Sequence, residues 1–122
     1  MTIEQEIQAK ANNGPRVTPA GIEAEIVSTF YFTANHGVQG EYLSRPGDFA
    51  GVPVPTALHL LTFCVLVLRN GFTVTGESAC ASPENFDAEL GRKIARQNAV
   101  QKNWPLMGYE LRSNLASRIA AQ

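Results

Sequence analysis

TFCVLVLRNGFTVT, residues 62–75, is the stretch that decides the fold. Residues 62–68 are mostly β-branched or large and apolar, and residues 72–75 alternate Phe, Thr, Val, Thr. Two such runs about an Asn-Gly pair predict a β-hairpin, because both turn residues tolerate the positive φ of a type I′ turn. With Asn70 and Gly71 as the loop, Arg69 pairs with Phe72, Val67 with Val74 and Cys64 with Glu77. One face then carries Phe63, Val65, Val67, Phe72 and Val74. The other sets Cys64, Leu66 and Leu68 beside Thr73, Thr75 and Glu77. The first strand is therefore expected to be buried on both sides and the second to be amphipathic.

Downstream, Ser82 reads as an N-cap, Pro83 as the first helical residue, and Glu84 and Asp87 as acids near the positive end of the dipole. Phe86, Leu90 and Ile94 recur at four-residue steps with Ala95 and Ala99 beside them, which predicts a narrow apolar helix face. That face is expected to cover the Phe63-Val65-Val67 side of the hairpin, each large side chain contributing about 1.5–3 kcal/mol before entropy. Trp104-Pro105 should end or kink the helix, and Leu111, Leu115 and Ile119 mark a final one.

Upstream, residues 2–11 read as a short helix on Ile3 and Ile7, broken at Asn12-Asn13-Gly14-Pro15. Thr18-Pro19 caps a second helix, with Ile22, Ile26 and Phe30 along one side. Residues 29–34 (TFYFTA) read as a strand, Asn35-His36-Gly37 as a turn, and residues 40–55, rich in Pro and Gly, as an irregular loop. The expected fold is α+β: one domain over residues 1–122, with an antiparallel hairpin-based sheet and helices packed mainly on one face. Within it, 1–30 is a helical N-terminal segment, 57–104 the hairpin-plus-helix core and 105–122 a C-terminal helix.

The chain has 122 residues, 17% charged, and a net charge of −1. That balance excludes a general binder of long nucleic acid, whose affinity rests on net positive charge. Cys64 and Cys80 do not make a disulfide framework, and with only His36 and His59 beside them they lack zinc-site spacing. The apolar run ending at Leu68 is too short to span a membrane, and the polar, acidic N-terminus is no signal peptide. A reducing cytoplasmic setting is expected.

NGFTVTGESACASPENFD (70–87) and GRKIARQNAVQKNWPLMGYEL (91–111), with PRVTPAGIEAEI (15–26) and YFTA (31–34), carry a family likeness. They resemble the gene-product-forty-nine-like family of small tailed-phage proteins. The resemblance implies a phage or prophage gene expressed in the host bacterial cytoplasm. It implies no activity and no functional residues.

No residue pattern names a nucleophile and its base, a metal site or a cofactor, so a non-enzyme is expected, with no cofactor. Ser78, Ser82 and the helix start beside Glu77 form a corner where the capping role explains Ser82. The more informative feature is charge spacing on the main helix. Lys93 has Glu89 four residues before it, whereas Arg92 and Arg96 lie four apart with no helical acid partner. Like charges so placed cost about 0.2–0.5 kcal/mol. Either an acid from another element, such as Glu77 or Asp48, or a phosphate-bearing ligand would offset it. Trp104 and Tyr109 flank the helix break and could stack on a base. The candidate ligand-binding set is thus Arg92, Arg96, Glu77, Trp104 and Tyr109. Two functions fit. One is a phage accessory protein, anti-defence or host-takeover, that binds a small anionic host ligand such as a nucleotide signal. The other is a module that docks on a host enzyme through residues 40–55 and neighbouring apolar surface and inhibits it. The thin stripe of the last helix predicts a homo-oligomer.

Overall fold

The hairpin forms where the sequence places it, one residue out of the expected register. The computed structural model describes residues 1–10 and 14–121, so the Asn12-Asn13 part of the expected break lies outside the described residues. In chain order the elements are α1 (Ile3–Lys10), α2 (Pro19–Glu25), β1 (Ile26–Thr33), α3 (Ala34–Ser44), β2 (Leu61–Leu68), β3 (Thr73–Ala79) and α4 (Ala88–Ala121), with 3-10 turns at Thr56–Leu60 and Pro83–Asn85. The sheet is antiparallel, in the order β1-β2-β3. The fold is α+β.

Leu66 pairs with Val74, Cys64 with Gly76 and Phe63 with Glu77. The Leu68 amide donates to Phe72 O and the Gly71 amide to Leu68 O, each at 2.8 Å. Arg69 therefore joins Asn70 and Gly71 in a three-residue loop, not the expected two-residue one. Gly71 has φ +88°, and no non-glycine among the described residues has positive φ. A type I′ turn needs two such residues, whereas a three-residue loop needs one, at its last position. The single-residue shift turns β3 over relative to β2. Val74 joins Cys64, Leu66 and Leu68 on the buried face, and Thr73, Thr75 and Glu77 join Phe63, Val65 and Val67 on the other.

α4 covers the Cys64-Leu66-Leu68-Val74 face, opposite to the expected one. It does so through small residues: Gly91, Ala95 and Ala99 are buried, while Leu90 is 53% exposed and Ile94 is exposed as well. The cause is Gly76. A Cβ there would lie 2.8 Å from Ala99 Cα, and closer still to Ala95 O and Ala99 N. The helix backbone thus rests directly on β3, where a Leu or Ile side chain would not fit between them. The face carries one polar residue, Asn103, which is 0% exposed and whose amide has no partner among the described residues.

The start of α4 also differs from expectation. Asp87 Oδ1 accepts from the Leu90 amide at 3.0 Å, as an N-cap does. Ser82 makes no cap bond; its hydroxyl donates to Glu84, which holds that carboxyl below its ordinary value. Pro105 does not end the helix, which runs unbroken to Ala121. At about 1.5 Å per residue α4 is about 50 Å long, against roughly 27 Å for an eight-residue strand. Leu106, Met107 and Glu110 pass the hairpin tip at Asn70 and Phe72. Leu111, Leu115 and Ile119 continue the same helix beyond the sheet.

Upstream, Thr18 Oγ1 accepts from the Gly21 amide at 3.0 Å and caps α2 as expected. The helix stops at Glu25, because Ile26, Val27 and Thr29 are β-branched and the aromatic run behind them favours a strand. Ile26 and Phe30 are therefore strand residues. The expected Asn35-His36-Gly37 turn is the first turn of α3, which also takes in Gly40. Tyr42, in the last turn of α3, stacks on Phe49 at 4.4 Å, and Arg45 lies 4.8 Å from the centre of the Phe49 ring.

Gly76→Ala is expected to destabilise the protein by at least the upper end of the about 1–3 kcal/mol typical of overpacking, since backbone has to move. Gly40→Ala, where a Cβ meets nothing within 4 Å, should be neutral or stabilising by about 0.5–1 kcal/mol. Urea denaturation of both variants checks the pair. Equal midpoints would contradict the direct helix–strand contact.

Candidate functional site

Because α4 is drawn down over β2 and β3, the β1 side of the same sheet face stays open. Tyr31 and Thr33 lie opposite Cys64 and Thr62 in the ladder, so their side chains point to the side that α4 occupies. Between them and α4 runs a groove with a cavity of about 430 Å³. Tyr31 and Phe86 give it aromatic walls, Thr33 and Thr62 hydroxyls, and His36, His59 and Arg92 ring and guanidinium nitrogens; the Phe32 ring stacks on Phe63 on the opposite face of the sheet. No carboxylate among the described residues lines it. A cleft of this size with a few convergent polar groups is the usual form of a small-molecule site.

His36 is fixed by its place in the fold. Thr33 caps α3, its Oγ1 accepting from the His36 amide at 3.3 Å, and the His36 ring returns over the cap. Nδ1 lies 3.4 Å from the Thr33 amide and 3.0 Å from Thr33 Oγ1. Nδ1 thus accepts at the cap, which leaves Nε2 as the ring nitrogen not engaged there. His59 arrives from the 3-10 turn before β2, and the Thr62 side chain lies against Gly91 of α4.

The two arginines of α4 have different surroundings. Arg96 donates from Nη1 and Nη2 to the Glu23 carboxylate of α2 at 3.0 and 2.8 Å. This pairing holds the Glu23 carboxyl below its ordinary value and raises Arg96. Arg92 lines the groove, is exposed, and forms no ion pair among the described residues. Beneath, burial pushes the Cys64 thiol up, which keeps it protonated and unreactive. The groove therefore offers one uncommitted guanidinium over an aromatic, donor-rich surface.

A family model described as Phage protein (N4 Gp49/phage Sf6 gene 66) family matches residues 17–115. The chain belongs to that family. No curated protein and no solved structure matches it. The matched span of this phage protein includes every residue that lines the groove. No helix among the described residues is long and apolar enough to cross a membrane, and no group of three or more His, Cys, Asp or Glu among them could hold a metal ion.

Of the five residues singled out from sequence, Arg92 lines the groove. Arg96 is engaged by Glu23, neither by Glu77 nor by Asp48; Asp48 lies 3.8 Å from Arg45. Glu77 lies on β3, its carboxylate 4.0 Å from Lys102 and its carbonyl accepting from Asn98 at 2.8 Å. Trp104 is half-buried and Tyr109 is 78% exposed. Along the helix they stand about 18 and 25 Å from Arg92, and neither is among the residues that line the groove. Tyr31, Phe32, Thr33, His36, His59, Thr62 and Phe86 carry no short-range sequence signal for a site. The Thr33-x-x-His36 spacing is the exception, since it fits a helix start.

The Arg96–Glu23 pair has a definite pH signature. A carboxyl whose folded pKa is lowered stabilises the fold above its ordinary range, and that contribution is lost as pH falls through the lowered value. Glu23→Gln should therefore lower the denaturation midpoint near neutral pH, and the gap to wild type should close below about 4.5, the ordinary glutamate value. A gap that is constant with pH would show that the pair does not couple α2 to α4.

Proposed function

We propose that this phage protein is a non-enzymatic accessory protein that binds a small anionic ligand of nucleotide size in the groove between β1 and α4. The observation that carries the reading is Arg92: a guanidinium with no ion-pair partner among the described residues, on the rim of a cavity whose described lining has aromatic rings and no carboxylate. Arg suits phosphate because its planar fork donates two bonds at once, and Tyr31 and Phe86 offer faces for a base. The Thr33 hydroxyl and His36 Nδ1 are engaged with one another and with the cap of α3. A host-cytoplasmic nucleotide signal of bacterial defence fits this chemistry, and capturing it would protect the phage.

A second reading rests on a different surface. Leu43 and Val52 are exposed in the segment that carries the Tyr42-Arg45-Phe49 stack, and such apolar side chains suit docking on a host enzyme and inhibiting it.

Titration calorimetry against mononucleotides, cyclic nucleotides and ADP-ribose-type compounds tests the first reading. Wild type should bind at least one of them, and Arg92→Ala should weaken it about tenfold or more, as loss of a charge-assisted hydrogen bond does. The variant should melt with wild type, because Arg92 holds nothing else in place. Absence of heat with every compound would overturn the ligand reading and favour the docking surface.

A further inference from the structure

The lining of the groove is graded from mouth to floor. Tyr31, His36, His59 and Arg92 are exposed, Thr33 and Phe86 are half-buried, and Thr62 is buried, at 3% exposure. The guanidinium and the imidazoles thus stand at the mouth, and the least exposed lining residue carries an uncharged hydroxyl. Thr62 is fixed from two directions. It pairs with Thr33 on one side and Ser78 on the other, and α4 lies close above it, where a Cβ on Gly91 would be 3.2 Å from Thr62 Oγ1. Thr33 Oγ1 is already occupied by the His36 amide and ring. The Thr62 hydroxyl has no hydrogen-bond partner among the described residues, and its oxygen is not sealed in the core as the Asn103 amide is. A buried hydroxyl without a partner is unfavourable. Valine has the same branched shape and suits a strand equally, so packing alone gives no reason for the hydroxyl.

We propose that Thr62 is the residue by which the groove reads its ligand: a nucleotide enters base-first, an edge atom of the base meets the Thr62 hydroxyl, and the phosphate stays at the mouth on Arg92. This rests on the nucleotide reading of the groove and adds the direction of the ligand and the residue that selects its uncharged end. The grading excludes the reverse orientation, since a phosphate at the floor would be a buried charge met by one hydroxyl. Tyr31 and Phe86 flank the approach to the floor, and their rings suit a planar base better than a sugar. A hydroxyl both donates and accepts, so Thr62 can serve either kind of base-edge atom.

Calorimetry on wild type, Thr62→Val, Thr62→Ser and Arg92→Ala tests it, with adenosine and guanosine monophosphates, their cyclic forms, ADP-ribose and ribose phosphate. Nucleotides that wild type binds should bind Thr62→Val about tenfold more weakly, the effect of one lost hydrogen bond at a buried position. That loss should not change with salt, whereas the loss in Arg92→Ala should shrink as salt screens the exposed guanidinium. Thr62→Ser keeps the hydroxyl and should bind close to wild type. Ribose phosphate, which has no base, should not distinguish Thr62→Val from wild type. Thr62→Val should melt no lower than wild type, because its hydroxyl holds nothing in the fold. The inference is overturned if Thr62→Val binds the nucleotides as wild type does, or if Thr62→Ser loses as much as Thr62→Val. It is overturned equally if the Thr62→Val loss shrinks with salt, extends to ribose phosphate or comes with a lower melting temperature. In each of these cases a loss in Arg92→Ala leaves the nucleotide reading standing. A wild type that binds none of the compounds overturns both.

Discussion

The close approach of α4 to Gly76 is the constraint on which the rest of the structure depends. With hydrogen in place of a side chain on β3, the helix backbone settles onto the strand, and the small residues Gly91, Ala95 and Ala99 lie beneath it. The rotation of α4 about its axis is thereby set, and with it the direction of every other side chain. Leu90 and Ile94 turn outward. Arg96 is carried to α2, where Glu23 receives it, and Arg92 to the rim above β1, where no acid does. The difference between a structural arginine and an available one, a single turn apart, follows from a glycine on another element.

Much of the fold was legible in the sequence, and the misses have identifiable causes. The two strands of the hairpin, the glycine of its turn and the cap of α2 followed from local chemistry. The register did not, because Asn-Gly serves a two-residue loop and also the end of a three-residue one, and Arg69 gives no sign of which. That one residue exchanged the faces of β3. The orientation of α4 was missed because large apolar residues draw attention over small ones, although Ala95 and Ala99 lay in the same segment. For the site, the isolation of Arg92 and Arg96 within their helix was visible. The acid that separates their roles, Glu23, is 73 residues from Arg96 in the chain, and nothing local announces it. The convergence of His36 and His59 is equally a product of topology, one at the start of α3 and the other just before β2.

Membership in the phage family gives the protein a biological setting, and the groove gives that setting a chemistry. Its walls are built from three separate parts of the chain: the strand-to-helix junction at Thr33, the 3-10 turn before β2, and the first turns of α4. These parts are tied together by the sheet ladder and by Gly91 against Thr62. A cavity assembled in this way has a shape largely set before anything enters it, which reduces the ordering cost of binding.

The stripe of small residues on α4 also poses a problem of position along the helix axis. Gly91, Ala95 and Ala99 repeat every four residues, so a slide of one turn, about 6 Å, would exchange one small residue for the next with little change in fit. The residues at the next step on either side remove that ambiguity. Sliding one way would bring Asn103 into the place of Ala99 against β3, where its side chain is too large. Sliding the other way would bring the charged Asp87 into the buried place of Gly91 and strip the helix of its cap. An unpartnered amide in the core is a poor contributor to stability, but as a stop at the end of a slippery track Asn103 makes the docking of α4 unique.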